Sequence, residues 1–140
     1  MKQGLDHSTA SLTVTVTNTM TAHLEDLVHH PVYGTFWVAY HAEVAARMAL
    51  APYLEDHEDA VGSELSICHH AMAGVGATVL ISAQVVQVER SRVRCTFSIH
   101  HVVSGTLLAT GTQEQVVLSR DRLAELVSAA VMDGEGPTSE

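Results

Sequence analysis

Positive charge is scarce in this chain: seven Lys and Arg stand against 16 Asp and Glu, a formal net charge of -9 over 140 residues. Proteins that track a phosphate backbone need clustered Lys and Arg, so nucleic acid is not an expected partner. No basic amphipathic helix is present to hold the chain on a membrane surface. No apolar run approaches the length of a bilayer span, and the polar, Thr-rich stretch from Met1 to Asn18 lacks the apolar core of a signal peptide. A cytoplasmic protein is expected. Cysteine is limited to Cys68 and Cys95. Two thiols make neither a disulfide framework nor a C-x-x-C zinc motif, and a reducing compartment suits them. Charged residues amount to only 16% and apolar residues to 46%, which excludes a disordered chain and fits one domain with a sizeable core. Residues 1–9 read as a flexible N-terminus, 10–132 as the folded domain and 133–140 as a flexible tail.

What the chain does have is hydrophobic patterning. Leu12, Val14 and Val16 alternate with Thr13, Thr15 and Thr17, the pattern of a half-buried strand over Ala10 to Thr17. Asn18 to Pro31 carries a weak helical signal, with Leu24, Leu27 and Val28 as its apolar side. From Phe36 to Leu50 apolar residues cover almost the whole circumference of a helix. A helix apolar all round, and too short to cross a bilayer, is one buried inside protein. Pro52 ends it, and an acidic loop, Glu55 to Asp59, follows.

After Gly62 the chain reads as strands. Ser63 to Met72 is the first, Gly74 to Gly76 a turn, and Thr78 to Val88 a β-branched run. A polar hairpin at Glu89 to Ser91 leads into Arg92 to His101, with Val93, Cys95, Phe97 and Ile99 inward. Ser104 and Gly105 turn the chain into Leu107 to Leu118. Ser119 is placed as the N-cap of a short amphipathic helix bearing Leu123, Leu126, Val127, Ala130 and Val131. Consecutive antiparallel strands together with one oily helix predict an α+β domain, a single sheet with one buried helix.

Three features of this frame carry chemistry. Glu43 sits in the middle of the apolar helix, where a carboxylate needs a partner. An i,i+4 salt bridge with Arg47 would supply one; the alternative is that Glu43 lines a pocket as base or nucleophile. Thr35 stands at the helix start, as an N-cap or as a hydroxyl aimed into the same pocket. Ten histidines include the doublets His29-His30, His69-His70 and His100-His101. On a strand only one member of a doublet can face a given side. No metal is expected, because no His or Cys spacing matches a zinc motif and His41-x-Glu43 is too weak a pair.

The segment Met48-Ala49-Leu50-Ala51-Pro52-Tyr53-Leu54-Glu55 resembles the M-A-P-Y-L-E helix ending of the fluoroacetyl-CoA thioesterase family, a branch of the hotdog thioesterases. Counting without gaps from Pro52, the resemblance implies catalytic roles for Thr35, Glu43 and His69, and places the family's active-site glycine at Gly62. Gly111-Thr112-x-Glu114 also resembles the family's last strand. The likeness covers roughly residues 32 to 120. It implies a hotdog fold, an antiparallel sheet wrapped around one long central helix, and hydrolysis of a small acyl-CoA. Coenzyme A is then part of the substrate and no separate cofactor is required. It also implies a homodimer with active sites at the interface, so that Thr35 and Glu43 of one chain can face His69 of the other. Phe36 and Tyr40, on the helix, are expected to line the acyl pocket.

The departures bear on specificity. Ile67-Cys68 directly precedes His69, where the family spaces the pair further ahead, and a gapped pairing selects His70 or Ala71. The family's CoA-holding Arg is replaced by Gln115, leaving Arg90, Arg92 or Arg94 as donors. The segment before Thr35 is shorter and reads Val28-His29-His30-Pro31, so fluoroacetate specificity is not carried over. A non-catalytic acyl-CoA or hydrophobic-ligand binding protein on the same fold is the alternative reading.

Overall fold

The computed structural model describes residues 1–134. In chain order the elements are β1 (Thr9–Thr15), β2 (Thr21–Leu24), β3 (Val28–Tyr33), α1 (Thr35–Leu50), β4 (Glu58–His69), β5 (Thr78–Glu89), β6 (Arg92–His101), β7 (Leu107–Ser119) and α2 (Arg120–Gly134), with single 3-10 turns at Leu5–His7, Asn18–Met20 and Ala51–Tyr53. Five strands form one antiparallel sheet in the order β1-β5-β6-β7-β4, and β2 and β3 form a separate hairpin. The sheet packs one face against α1, which is the hotdog arrangement.

Alternation decides which face. Val79, Ile81, Ala83 and Val85 on β5 and Val93, Cys95, Phe97 and Ile99 on β6 are all buried, turned toward α1. The helix meets them with Val38, Ala42, Ala45, Ala46, Ala49 and Leu50. Four of these are alanines, so the helix backbone lies close on the sheet. Each fully buried aliphatic side chain, Leu50 or Ile81 for example, contributes roughly 1.5–3 kcal/mol. The helix lies mainly over β5 and β1 and touches β7 and β4 more lightly. At Gly111 a Cβ would stand 1.9 Å from the Ser66 carbonyl oxygen and 2.6 Å from the Phe97 ring. Glycine there lets the Phe97 ring lie across β7.

Several expectations are corrected. The N-terminus is tied down: Leu5 is buried, the Met1 ammonium lies 2.7 Å from Glu58, and the Lys2 amide donates to the Tyr53 carbonyl. Asn18 to Pro31 is not helical beyond one 3-10 turn; it forms the hairpin, with Leu24 and Leu27 exposed. The run after Pro52 is strand from Glu58, because pairing with β7 continues through the acidic residues to Ser119. Helix α1 is buried on one side only. Phe36 (74% exposed), Tyr40 (53%) and Met48 (41%) lie on its open side. Ser119 accepts the amide hydrogen of Arg122 as expected of an N-cap. Helix α2 runs to Gly134, past the expected start of the tail at 133, and 135–140 lie outside the described residues.

Candidate active site

The β2-β3 hairpin crosses the N-terminus of α1, and Gly34 makes that crossing possible. Its amide donates to the Met20 carbonyl, and a Cβ on it would come 2.9 Å from the Ala22 backbone. Gly34, not Thr35, is the N-cap of α1. Thr35 is therefore the first helical residue, and its hydroxyl is free for another partner. That partner is His69, at the end of β4: Thr35 Oγ1 lies 2.9 Å from His69 Nε2. His70, one residue past the end of β4, sets its Nε2 2.8 Å from Thr110 Oγ1 and also borders the cavity beside Thr35. Thr35, His69, His30, Tyr33 and Met72 wall a cavity of about 320 Å³. The unpaired first-turn amides of α1 give this end a partial positive charge.

Glu43 stands elsewhere, on the exposed side of α1 rather than in a buried centre. Its salt-bridge partner is engaged elsewhere too. Arg47 pairs with Asp59 and donates to the Ala60 carbonyl at 2.8 Å. The Ala60 amide and the Arg47 guanidinium hold the Asp59 carboxyl below the usual carboxylate range. Glu43 makes no ion pair among the described residues. It faces Gly62 across the groove between α1 and β4: a Cβ on Gly62 would lie 3.6 Å from Glu43 Oε1 and 3.4 Å from Gln113 Nε2. Tyr40, Glu43, Val44 and Met48 also border a mostly apolar cavity of about 370 Å³.

Within one chain these are two separate groups. Thr35 and Glu43 are separated by about 12 Å of helix rise, and Gly62 and His69 by about 23 Å of strand. Thr35 is with His69, and Glu43 is with Gly62. The expected partition, Thr35 and Glu43 of one chain together facing His69 of another, is corrected in its first part: Thr35 and His69 pair within one chain.

Of the other expected residues, Phe36 borders a separate cavity of about 300 Å³ beside Thr35, His23 and Trp37. Its ring meets Trp37 edge-on, as Trp37 meets Tyr40. Arg92 and Arg94 lie on the outer face, against Glu114 and Glu64, and Arg90 is in the left-handed turn between β5 and β6. Gln115 is buried. Among the described residues no three His, Cys, Asp or Glu side chains converge as a metal-ligand group. No helix among them is long and apolar enough to cross a membrane.

Two features were not read from the sequence. Tyr33 Oη lies 2.5 Å from His41 Nδ1 in a buried hydrogen-bonded pair beside Trp37 and Tyr40; burial pushes the Tyr33 phenol up and the His41 imidazole down. Gln113 and Gln115 are buried and face inward from β7. Their signal was available: β7 alternation assigns both amides to the same side as Val117.

The sheet packed on one long helix defines a hotdog-fold protein, and its relatives place it in the thioesterase superfamily. Residues 16–121 match the model of the family described as fluoroacetyl-CoA-specific thioesterase. The chain belongs to that family, a family of thioester hydrolases. It is 31% identical over 91 residues to the fluoroacetyl-CoA thioesterase of Streptantibioticus cattleyicolor, a match spanning 65% of this chain and 64% of that relative's length. A hypothetical protein of Thermus thermophilus, a thioesterase superfamily member, superposes with a TM-score of 0.89 at 31% identity, over 94% of this chain and 96% of that one. A variant of the fluoroacetyl-CoA enzyme solved with acetyl-CoA superposes with a TM-score of 0.78 at 25% identity, covering 89% and 96% of the two chains.

Proposed function

We propose that this protein hydrolyses a small acyl-CoA thioester at sites shared between two copies of the chain. Thr35 and His69 come from one copy and Glu43 from the other. The observation that carries this reading is the 2.9 Å contact of Thr35 with His69 at the start of α1, while the carboxylate stands unpaired in a second half-site. Strand β4 is an edge of the sheet, bonded only to β7, and is largely exposed from Val61 to His69. A long open edge invites pairing with another strand. Antiparallel pairing of β4 with its own copy, about a two-fold axis between Leu65 and Ser66, sets Gly62 opposite His69 of the second copy. It thereby brings Glu43 of one chain toward Thr35 and His69 of the other. The same association covers the open aromatic side of α1, including Phe36 and Tyr40, and turns it into an acyl pocket.

In the joined site the thioester carbonyl lies between Glu43 and the helix N-terminus, whose amides stabilise the developing oxyanion. Glu43 attacks the carbonyl or activates water. His69, oriented through Thr35, protonates the departing thiolate. The substrate brings its own coenzyme A, and no further cofactor enters the reaction. The two unpaired cysteines, Cys68 exposed and Cys95 buried, fit a reducing cytoplasm.

The test is thiol release across a panel of short acyl-CoAs, with Glu43→Gln and His69→Ala beside the parent. Each variant is expected to lose about 10²-fold in rate with the fold intact. Acyl-CoA binding by the parent without thiol release would mark it instead as a ligand-binding protein. The mostly apolar cavity bordered by Tyr40, Val44 and Met48 is the observation that supports this alternative.

A further inference from the structure

Lysine and arginine are kept away from Thr35 and His69. Arg47 stands in the last turn of α1, Arg90, Arg92 and Arg94 at the turn between β5 and β6, and Arg120 and Arg122 at the start of α2. Lys2 is held beside Tyr53, beyond the end of α1. These account for all seven Lys and Arg of the chain. The start of α2 joins the β4 end near Glu58, and Arg92 joins it through Val116, so all seven lie toward the C-terminal end of α1. Five of them already meet carboxylates: Arg47 and Arg120 at Asp59, Arg92 and Arg94 at Glu114, and Arg122 at Glu125. At the other end, around Thr35, stand imidazoles: His23, His29 and His30 on the β2-β3 hairpin, and His69 and His70 at the end of β4.

Two cavities flank that hairpin, and Ala22, Gly34 and Thr35 border both. The one of about 320 Å³ is lined by His30, His69 and His70, and the one of about 300 Å³ by His23 with Phe36 and Trp37. No Lys, Arg, Asp or Glu lines either. A substrate arm that leaves Thr35 along the hairpin therefore meets imidazole and no fixed charge. His23 and His29 pair across the hairpin, ring centroids 4.9 Å apart, and both are exposed. Like charges directly opposite destabilise a strand pair, so two imidazoles are a poor choice for a hairpin that needs only to pair. An anion held between them removes the repulsion. His29 lies about 14 Å of strand before Tyr33, which borders the first cavity. The arm of coenzyme A between its sulfur and its first phosphorus has about a dozen bonds, about 15 Å when extended. The two lengths match.

We infer that His23, His29 and His30 hold the phosphates of coenzyme A; this rests on the acyl-CoA reading above. The ligand class is a polyanion on a flexible arm, and the donors are imidazolium N–H groups in place of a fixed cation. Charge-assisted bonds of that kind need a protonated ring. An ordinary imidazole is protonated below about pH 6.5, so the grip is firm on the acid side and is lost as pH rises. Glu25 and Asp26, in the turn of the hairpin, favour the charged rings. His69 and His70, across the first cavity, oppose adding charge, and on the proposed dimer Glu43 of the second copy offsets them. The Tyr33–His41 pair behind the hairpin is buried and adds no charge near neutrality. A guanidinium would hold coenzyme A alike at all these pH values; imidazoles let it go.

The experiment is calorimetric binding of coenzyme A, and of pantetheine, which ends before the phosphates, at pH 6 and pH 8. The proteins are the parent, the double variant His23→Gln/His29→Gln, His30→Gln and Arg90→Gln. Glutamine keeps a hydrogen-bonding side chain but cannot take up charge. The parent is expected to bind coenzyme A about 10-fold more tightly at pH 6 than at pH 8, and pantetheine within about twofold at both. At pH 6 the double variant should lose about 10-fold for coenzyme A, and His30→Gln about 5-fold, with pantetheine binding at the parental level. Coenzyme A affinity that ignores pH in the parent, or parental affinity in the double variant, overturns the site. So does an equal loss for pantetheine, which would mark a distorted hairpin, and so does a loss reproduced by Arg90→Gln alone. Thiol release from the acyl-CoA panel separates this inference from the reading beneath it. A parent that binds coenzyme A as expected but releases no thiol keeps the phosphate site and overturns hydrolysis. A parent that releases thiol while its coenzyme A affinity ignores pH overturns the phosphate site alone.

Discussion

If each active site combines Glu43 of one chain with Thr35 and His69 of another, two inactive variants must restore each other. Glu43→Gln and His69→Ala are each expected to lose about 10²-fold when assayed alone. In a dimer that holds one chain of each kind, one site combines both lesions and the other carries neither. Random exchange makes half of the dimers mixed, and each mixed dimer has one intact site of two. An equimolar mixture should therefore recover about a quarter of the parental rate. The geometry makes the test sharp. With about 23 Å of strand between Gly62 and His69 in one chain, the carboxylate and imidazole of a single chain lie at opposite ends of β4. The assay is thiol release before and after subunit exchange in mild denaturant, with exchange confirmed by native mass spectrometry of chains differing in mass. Confirmed exchange with no recovery refutes the shared site, and so does recovery without mixed dimers.

Other substitutions probe single links in the argument. Thr35→Ala removes the hydroxyl beside His69 and should lower kcat about 10-fold, while Thr35→Ser stays near the parent; a parent-like alanine variant in the same kinetic assay would separate the contact from catalysis. Gly111→Ala drives a methyl group into the Ser66 carbonyl and the Phe97 ring. It should cost about 3 kcal/mol, lowering Tm by roughly 10 °C in a melting curve, because a backbone oxygen cannot rotate aside. The His41 imidazole is held below its ordinary value of 6.5 by burial. It stays neutral in the fold where the unfolded chain would take up a proton, so its contribution is complete above that value and is lost as pH falls through the lower, folded one. Urea unfolding should show stability declining from about pH 6.5 downward, with a shallower decline in His41→Gln, and equal slopes would contradict the assignment.

How much of this was legible in the sequence depends on what each residue's pattern encodes. Val93, Cys95, Phe97 and Ile99 alternate, and alternation settles a strand and its inward face together. Ser119 declared its helix because a cap is a local hydrogen bond. The hairpin at Thr21–Tyr33 was missed because its crossing depends on contact with Gly34, and Leu24 and Leu27 mimic a helical face they do not form. The contact of Thr35 with His69 was not foreseen: the resemblance picked out both residues but set them on different chains, and nothing local links positions 34 residues apart.

The helix itself makes the deeper point. Its hydrophobic circumference promised burial on every side, yet Ala42, Ala45 and Ala49 are sealed while Phe36, Tyr40 and Met48 are open. Hydropathy records that a side chain is suited to leave water; it does not record what covers it. The small residues mark the side that must approach a sheet closely, and the large ones mark the side on which space has to be filled or lined. Glu43 falls on the second side, away from Arg47, facing a glycine and an amide. A carboxylate placed there keeps its solvation in the single chain, and in the dimer proposed above it would lose it as the second copy closes over α1. On the proposed dimer, then, one association builds the pocket and desolvates the base, and a chain that cannot pair along β4 should fold yet release no thiol.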